Sequence, residues 1–147
     1  MNELVEILQR TNCSLVVRDR GGRITTYCKP GVRDLEHLLD HEPAVLKGAD
    51  VADKVTGKAA AAMVAVGGIK RLYAKVMSVT AIPFLEKAGI AFSYGMLAHT
   101  IKEDNNGRCQ LEKITASAAT PEEAVRLLRS HFAEMQSKRK QYNNGKI

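Results

Sequence analysis

Hydrophobic positions along the chain fall into two rhythms, one helical and one alternating. Leu4, Val5, Ile7 and Leu8 share one side of a helix over residues 3–8, closed by polar Thr11 and Asn12. Residues 14–19 (SLVVRD) and 23–28 (RITTYC) are β-branched runs separated by Arg20, Gly21 and Gly22. The paired glycines supply the positive φ angles of a tight hairpin. Pro30 and Gly31 break the chain, and Leu35, Leu38 and Leu39 then recur at helical spacing until the interruption at residues 41–43.

The passage around which the rest is organised is GADVADKVTGKAAAAMVAV, residues 48–66. An extended lead-in runs through Asp53 into an alanine-rich helix with no polar side chain after Lys58, so the body of that helix must be buried. Charge is gathered at its N-terminal end, where unpaired backbone N–H groups and the positive end of the helix dipole favour a ligand. Gly67 and Gly68 stop this helix, and KRLYAKVM (70–77) alternates as a strand. TAIPFLEK (80–87) predicts a helix closed by Gly89, with Pro83 tolerated near the first turn, and IAFSY (90–94) a further strand. Residues 95–100 are expected to form another short helix, followed by a polar turn at 103–107. In the final helix, 121–136, Ala124, Leu127, Leu128 and Phe132 share a face, Thr120 is the N-cap and Glu123 its capping-box partner. Helix and strand alternate here as in right-handed parallel crossovers. The architecture expected is a three-layer α/β domain in which an antiparallel hairpin joins a sheet with crossover-linked strands, flanked by helices.

Composition narrows the classes. A chain of 147 residues, 45% hydrophobic, suits one domain with a substantial core, here residues 1–137, with 138–147 as a basic tail expected to be flexible. There is no apolar run of about 18 residues, and the opening MNELVEILQR is acidic and amphipathic, so neither a membrane span nor a secretory signal is expected. Cys13, Cys28 and Cys109 are odd in number and widely spaced, which argues against a disulfide framework or structural zinc and suggests a cytoplasmic setting. The formal charge is +6, but Lys138, Arg139, Lys140 and Lys146 contribute four of those charges, leaving +2 on the body. With 5% aromatic residues and no Trp, the body lacks the footprint of a nucleic-acid binder, and no specific nucleic-acid or membrane partner is expected.

The segments KGADVADKVTGKAAA (47–61), RLYAKVMS (71–78), FLEKAGIAFSYGML (84–97) and NNGRCQLEK (105–113) together resemble an uncharacterised family of small prokaryotic proteins, a domain of unknown function assigned to the cytidine deaminase-like fold. The resemblance covers roughly residues 15–125. It implies that fold, and oligomers by analogy with it, but confers no established activity. Zinc deaminases require a His or Cys, then a Glu, at the start of the alanine-rich helix, and PCxxC after the next strand. Here the first ligand position falls near Thr56, the Glu position near Lys58 and the PCxxC segment at residues 78–82, none of which supplies a zinc ligand. No metal and no other cofactor is expected. The family tends to show CPxE where this chain has Cys109, Gln110 and Glu112, so the rigid turn that proline would give is absent.

The site expected is a pocket at the start of the alanine-rich helix, binding a nucleotide-like or phosphorylated small molecule through Asp53, Lys54, Thr56, Gly57 and Lys58. Gly57 lets a ligand approach the backbone, Lys54 or Lys58 pairs with phosphate, and Asp53 accepts from a sugar hydroxyl; alternatively Asp53 or Thr56 simply caps the helix and both lysines are solvated. The segment is not a P-loop, which would need Gly at Ala52 and Ser or Thr at Ala59. Catalytic candidates are Cys109, if His99 serves as its base, and Glu112, if it shares a pocket with Asp53 for acid–base work. The plain alternatives are a core cysteine and a surface or capping acid. His37, His41 and His131 are expected to be surface histidines. The functions that remain are a small-molecule binder, a metal-independent enzyme acting on a nucleotide or modified nucleoside, and a structural or regulatory interaction module, with a homo-oligomer as a possible assembly.

Overall fold

The computed structural model describes residues 1–29, 31–99 and 108–144, with the side chains of 108, 109 and 140–144 outside the description. Helix α1 (Asn2–Arg10) leads into strands β1 (Leu15–Arg18) and β2 (Ile24–Tyr27), then α2 (Arg33–His41), the single turn α3 (Pro43–Leu46), β3 (Asp50–Thr56) and α4 (Lys58–Gly67). Strand β4 (Arg71–Ser78) passes through a 3-10 turn (Val79–Ala81) into α5 (Ile82–Lys87), followed by β5 (Ala91–Ala98), α6 (Arg108–Thr115) and α7 (Pro121–Asn144). The five strands form one sheet in the order β2-β1-β3-β4-β5. β1 pairs antiparallel with β2 and β3, whereas β3, β4 and β5 run parallel. The mixed sheet flanked by helices is therefore as the sequence predicts.

Strand alternation divides the core. Leu15, Val17, Val51, Leu72 and Ala74 face the main helical layer, where Ala59 to Val64 of α4, Leu35 and Leu38 of α2, Leu85 of α5 and Ala124 and Leu128 of α7 bury with them. Val16 and Ala52 face the other way, onto Leu4 and Leu8 of α1. β3 is thus covered on both faces, which is why its first four residues are all buried. Among the described residues the second helical layer is α1, which stops over β1 and β3. On the edge strand β5, Tyr94 and Met96, which pair with Ala74 and Val76, and Leu97 remain exposed.

Four local features differ from the sequence expectation. Residues 95–98 continue β5 instead of starting a helix. At Gly95 the reason is close approach to β4, since a Cβ there would lie 2.9 Å from the Lys75 carbonyl oxygen and 3.0 Å from Tyr73 Oη. Here glycine marks intimate strand pairing, not the end of a strand. In the hairpin turn only Gly22 has positive φ, at 93°, while Gly21 does not. Asp19 completes the turn by accepting from the N–H groups of Gly21 and Arg23 through Oδ1, at 2.9 and 3.0 Å. Helix α7 continues to Asn144, so the backbone of residues 138–144 extends the helix. Thr120 caps α7 by accepting from Glu123 N–H at 3.1 Å, and the Glu123 carboxylate reaches back to Ala119 N–H, one residue before the reciprocal partner of a capping box. The polar turn expected at 103–107 lies outside the described residues.

Candidate ligand site

The parallel strands β3 and β4 end beside the start of α4, the position where open α/β sheets expose their carboxyl ends. Gly57 leaves β3 in extended conformation and, as a glycine, has no side chain with which to cap α4. The cap comes from across the chain. Glu112 of α6 accepts from Lys58 N–H through Oε1 at 2.8 Å, and its Oε2 accepts from the Thr80 hydroxyl at 3.1 Å. Ser78 Oγ lies 2.7 Å from Thr80 Oγ1 and accepts from Thr80 N–H at 3.2 Å, so a line of hydroxyls ties the carboxylate to the end of β4. A carboxylate at this position satisfies an orphan backbone donor and sits favourably at the positive end of the helix dipole.

Beside that cap is a cleft of about 30 Å³ lined by Asp53, Lys54, Gly57 and Glu112, with Ser14, Val32 and Leu111 among its other walls. Asp53 and Glu112 therefore meet in one cleft although 58 residues lie between them in the sequence. Asp53 is buried, and its Oδ2 accepts from the fully buried Thr56 hydroxyl at 2.7 Å. Lys54 has an exposed side chain, while its N–H donates to the Ser14 carbonyl at 2.9 Å and ties β3 to the start of the hairpin. Lys58 does not line the cleft. Its ammonium donates to the Ala116 carbonyl at 3.2 Å and lies 5.2 Å from the centre of the Phe84 ring.

The structure thus brings together Asp53, Lys54, Gly57 and Glu112, buries Thr56 behind Asp53, and turns Lys58 toward α5 and α6. Ser14, Val32 and Leu111 were not singled out by sequence reasoning. Only the placement of Ser14 at the start of the hairpin was legible, because which loops close over α4 depends on tertiary packing. The Cys109 side chain lies outside the described residues, and with it the pairing of Cys109 with His99. His37 and His41 lie 5.0 Å apart on α2, and His37 Nε2 is 3.4 Å from Glu42, with both partners of that pair more than half exposed.

A second hollow adjoins the cleft. Gly31, Val32 and Leu111 border both, and the larger groove of about 300 Å³ continues between α2, α6 and α7 past Arg33, Glu36, Phe132 and Arg139. Burial, followed by the neighbouring Asp40 charge, raises the Glu36 carboxyl above its ordinary range. His131, expected as a surface residue, forms part of this groove wall.

An acidic cleft at the head of a buried helix, carried on one mixed five-stranded sheet, defines a small α/β protein with a potential ligand site at the strand ends. The family model for a domain of unknown function (DUF1893), TM1506, matches residues 3–132, and the chain belongs to that family. It is similar in structure to a DUF1893 family protein (TM1506) from Thermotoga maritima, solved by crystallography, with a TM-score of 0.77 and 26% sequence identity over 88% of each chain. No curated protein matches the chain.

Proposed function

We propose that the protein binds a nucleotide-like small molecule at the head of α4, on a cytidine deaminase-like scaffold that carries hydroxyl groups where zinc ligands would stand. The strand order and the two parallel crossovers support that scaffold. The reading rests on one observation, the convergence of Asp53 and Glu112 on the same small cleft beside Lys54 and Gly57.

The geometry favours one orientation of the ligand. Glu112 already occupies the first amide of α4, so a phosphate placed there would meet a carboxylate and lose the benefit of the helix dipole. The cleft holds about one water-sized group, which suits an amino or ring N–H group donating to the two acids. The body of the ligand then lies in the adjoining groove, large enough for a small molecule, where Phe132 offers a stacking face and Arg33 and Arg139 offer charge to a phosphate. Paired acids also fit a metal-independent reaction on the same ligand, with one carboxylate taking a proton and the other returning it.

Thermal-shift measurements with nucleosides, nucleoside monophosphates and inorganic phosphate test this reading. Nucleosides bearing an exocyclic amine are expected to raise Tm, and Asp53→Asn to remove the response while Lys58→Ala keeps it. A response to inorganic phosphate alone, or an undiminished response in Asp53→Asn, would overturn it.

A further inference from the structure

The strands of the hairpin bring two cysteines together at its open end. Within the hairpin Leu15 pairs with Tyr27, yet Ser14 N–H also donates to the Tyr27 carbonyl at 3.0 Å. Two residues of one strand thus face one of the other, which is a bulge, and the register beyond it shifts by one. The shift sets Cys13 opposite Cys28, one step outward from the hydrogen-bonded Ser14 and Tyr27, at the kind of position where cross-strand side chains stand closest. Their Sγ atoms lie 2.8 Å apart. Cys13 is buried, whereas Cys28 is exposed.

We propose that Cys13 and Cys28 form a dithiol–disulfide couple that exchanges with low-molecular-weight disulfides, Cys28 acting as the attacking thiol and Cys13 as the resolving one. Exposure decides the order, because only Cys28 is open to a bulky disulfide. Cys28 Sγ gives up its proton to solvent and bonds to one sulfur of the incoming disulfide, whose S–S bond breaks and releases one thiolate, which is protonated. Cys13 then loses its proton and attacks Cys28 Sγ, displacing the second small thiolate and closing the protein disulfide. Two protein thiols are oxidised, and one small disulfide is reduced to two thiols. The hydrogen bond between the two thiols lowers Cys13 and raises Cys28, so it opposes the order that exposure sets, and it is lost once Cys28 forms the mixed disulfide. Closing the bond would fix the bulged start of β1, whose Ser14 lines the cleft. The couple itself does not depend on what that cleft binds.

Native protein incubated with oxidised glutathione, then blocked with a maleimide under denaturing conditions, tests the proposal by intact mass and peptide mapping. The expected product has lost two hydrogens and gained one maleimide, on Cys109, carries no glutathione, contains a peptide joining Cys13 to Cys28, and regains the two hydrogens with a dithiol reductant. Cys13→Ser is expected to retain glutathione on Cys28, and Cys28→Ser to leave Cys13 unmodified. Stable glutathione on wild-type Cys28, a bond made instead to Cys109, or no native reaction when the denatured chain reacts would each overturn it. The wild-type result stands without the variants should either fail to fold.

Discussion

Asp50 sits between two arginines at the end of β3 farthest from the cleft. Arg71 donates to it through Nε and Nη2 at 2.8 and 2.6 Å, and Arg18 through Nη2 at 2.8 Å. The hydrogen bonds from Arg71, then the one from Arg18 against the opposing effect of burial, depress its carboxyl from 3.8 to about 2. A folded-state value below the unfolded one stabilises the fold above the unfolded pKa, and the contribution is lost as pH falls toward 2. Because Arg71 is 44% exposed, solvent screening reduces the contribution to on the order of 1 kcal/mol. Urea melts from pH 6 down to pH 2 should therefore show wild-type stability falling faster than that of Asp50→Asn, and parallel curves would refute this role. Glu112 differs in that its partners are a helix amide and a hydroxyl. Glu112→Ala strips the cap from α4 and should cost about 1–2 kcal/mol in urea denaturation, with Glu112→Gln closer to wild type. Equal stability in Glu112→Ala and wild type would mean that α4 needs no cap.

Among the described elements, α1 is the one that packs on the second face of the sheet, over β1 and β3. Leu4 is fully buried and Leu8 nearly so against Val16 and Ala52, so Leu4→Ala should cost roughly 2–4 kcal/mol, measured by chemical denaturation. A loss well under 1 kcal/mol would show that α1 is dispensable to the fold. At the opposite edge, Gly95→Val must push its side chain into the Lys75 carbonyl and Tyr73, and hydrogen exchange should quicken along β5 with the rest of the sheet little changed. The pattern of apolar residues made α1, the hairpin, β3, α4, β4 and α7 legible, because each has a burial face that repeats at its own period. Residues 95–98 were misread because an edge strand lacks strict alternation, and because the contact that requires Gly95 lies on a different strand. Asp53 and Gly57 were legible at the site from charge gathered before a buried helix. A capping role for Glu112 was among the sequence readings, but that the helix it caps is α4, and that Lys58 turns toward Phe84, depend on where α5 and α6 pack, and local sequence does not encode that.

At the scale of the whole molecule, the helical layer leaves an acidic notch at the head of α4 that opens beside the α2, α6 and α7 groove. Among the described residues no helix is long and apolar enough to cross a membrane. A small molecule spanning notch and groove would touch residues from both halves of the chain, so its binding should register on several elements at once. The most direct measurement is a titration of the amide NMR spectrum with a nucleoside monophosphate bearing an exocyclic amine. Shifts are expected to be largest at Asp53, Gly57, Lys58 and Glu112, to extend along the groove to Phe132, and to saturate. A spectrum that stays unchanged, or one that moves only at residues remote from the head of α4, would contradict ligand binding there.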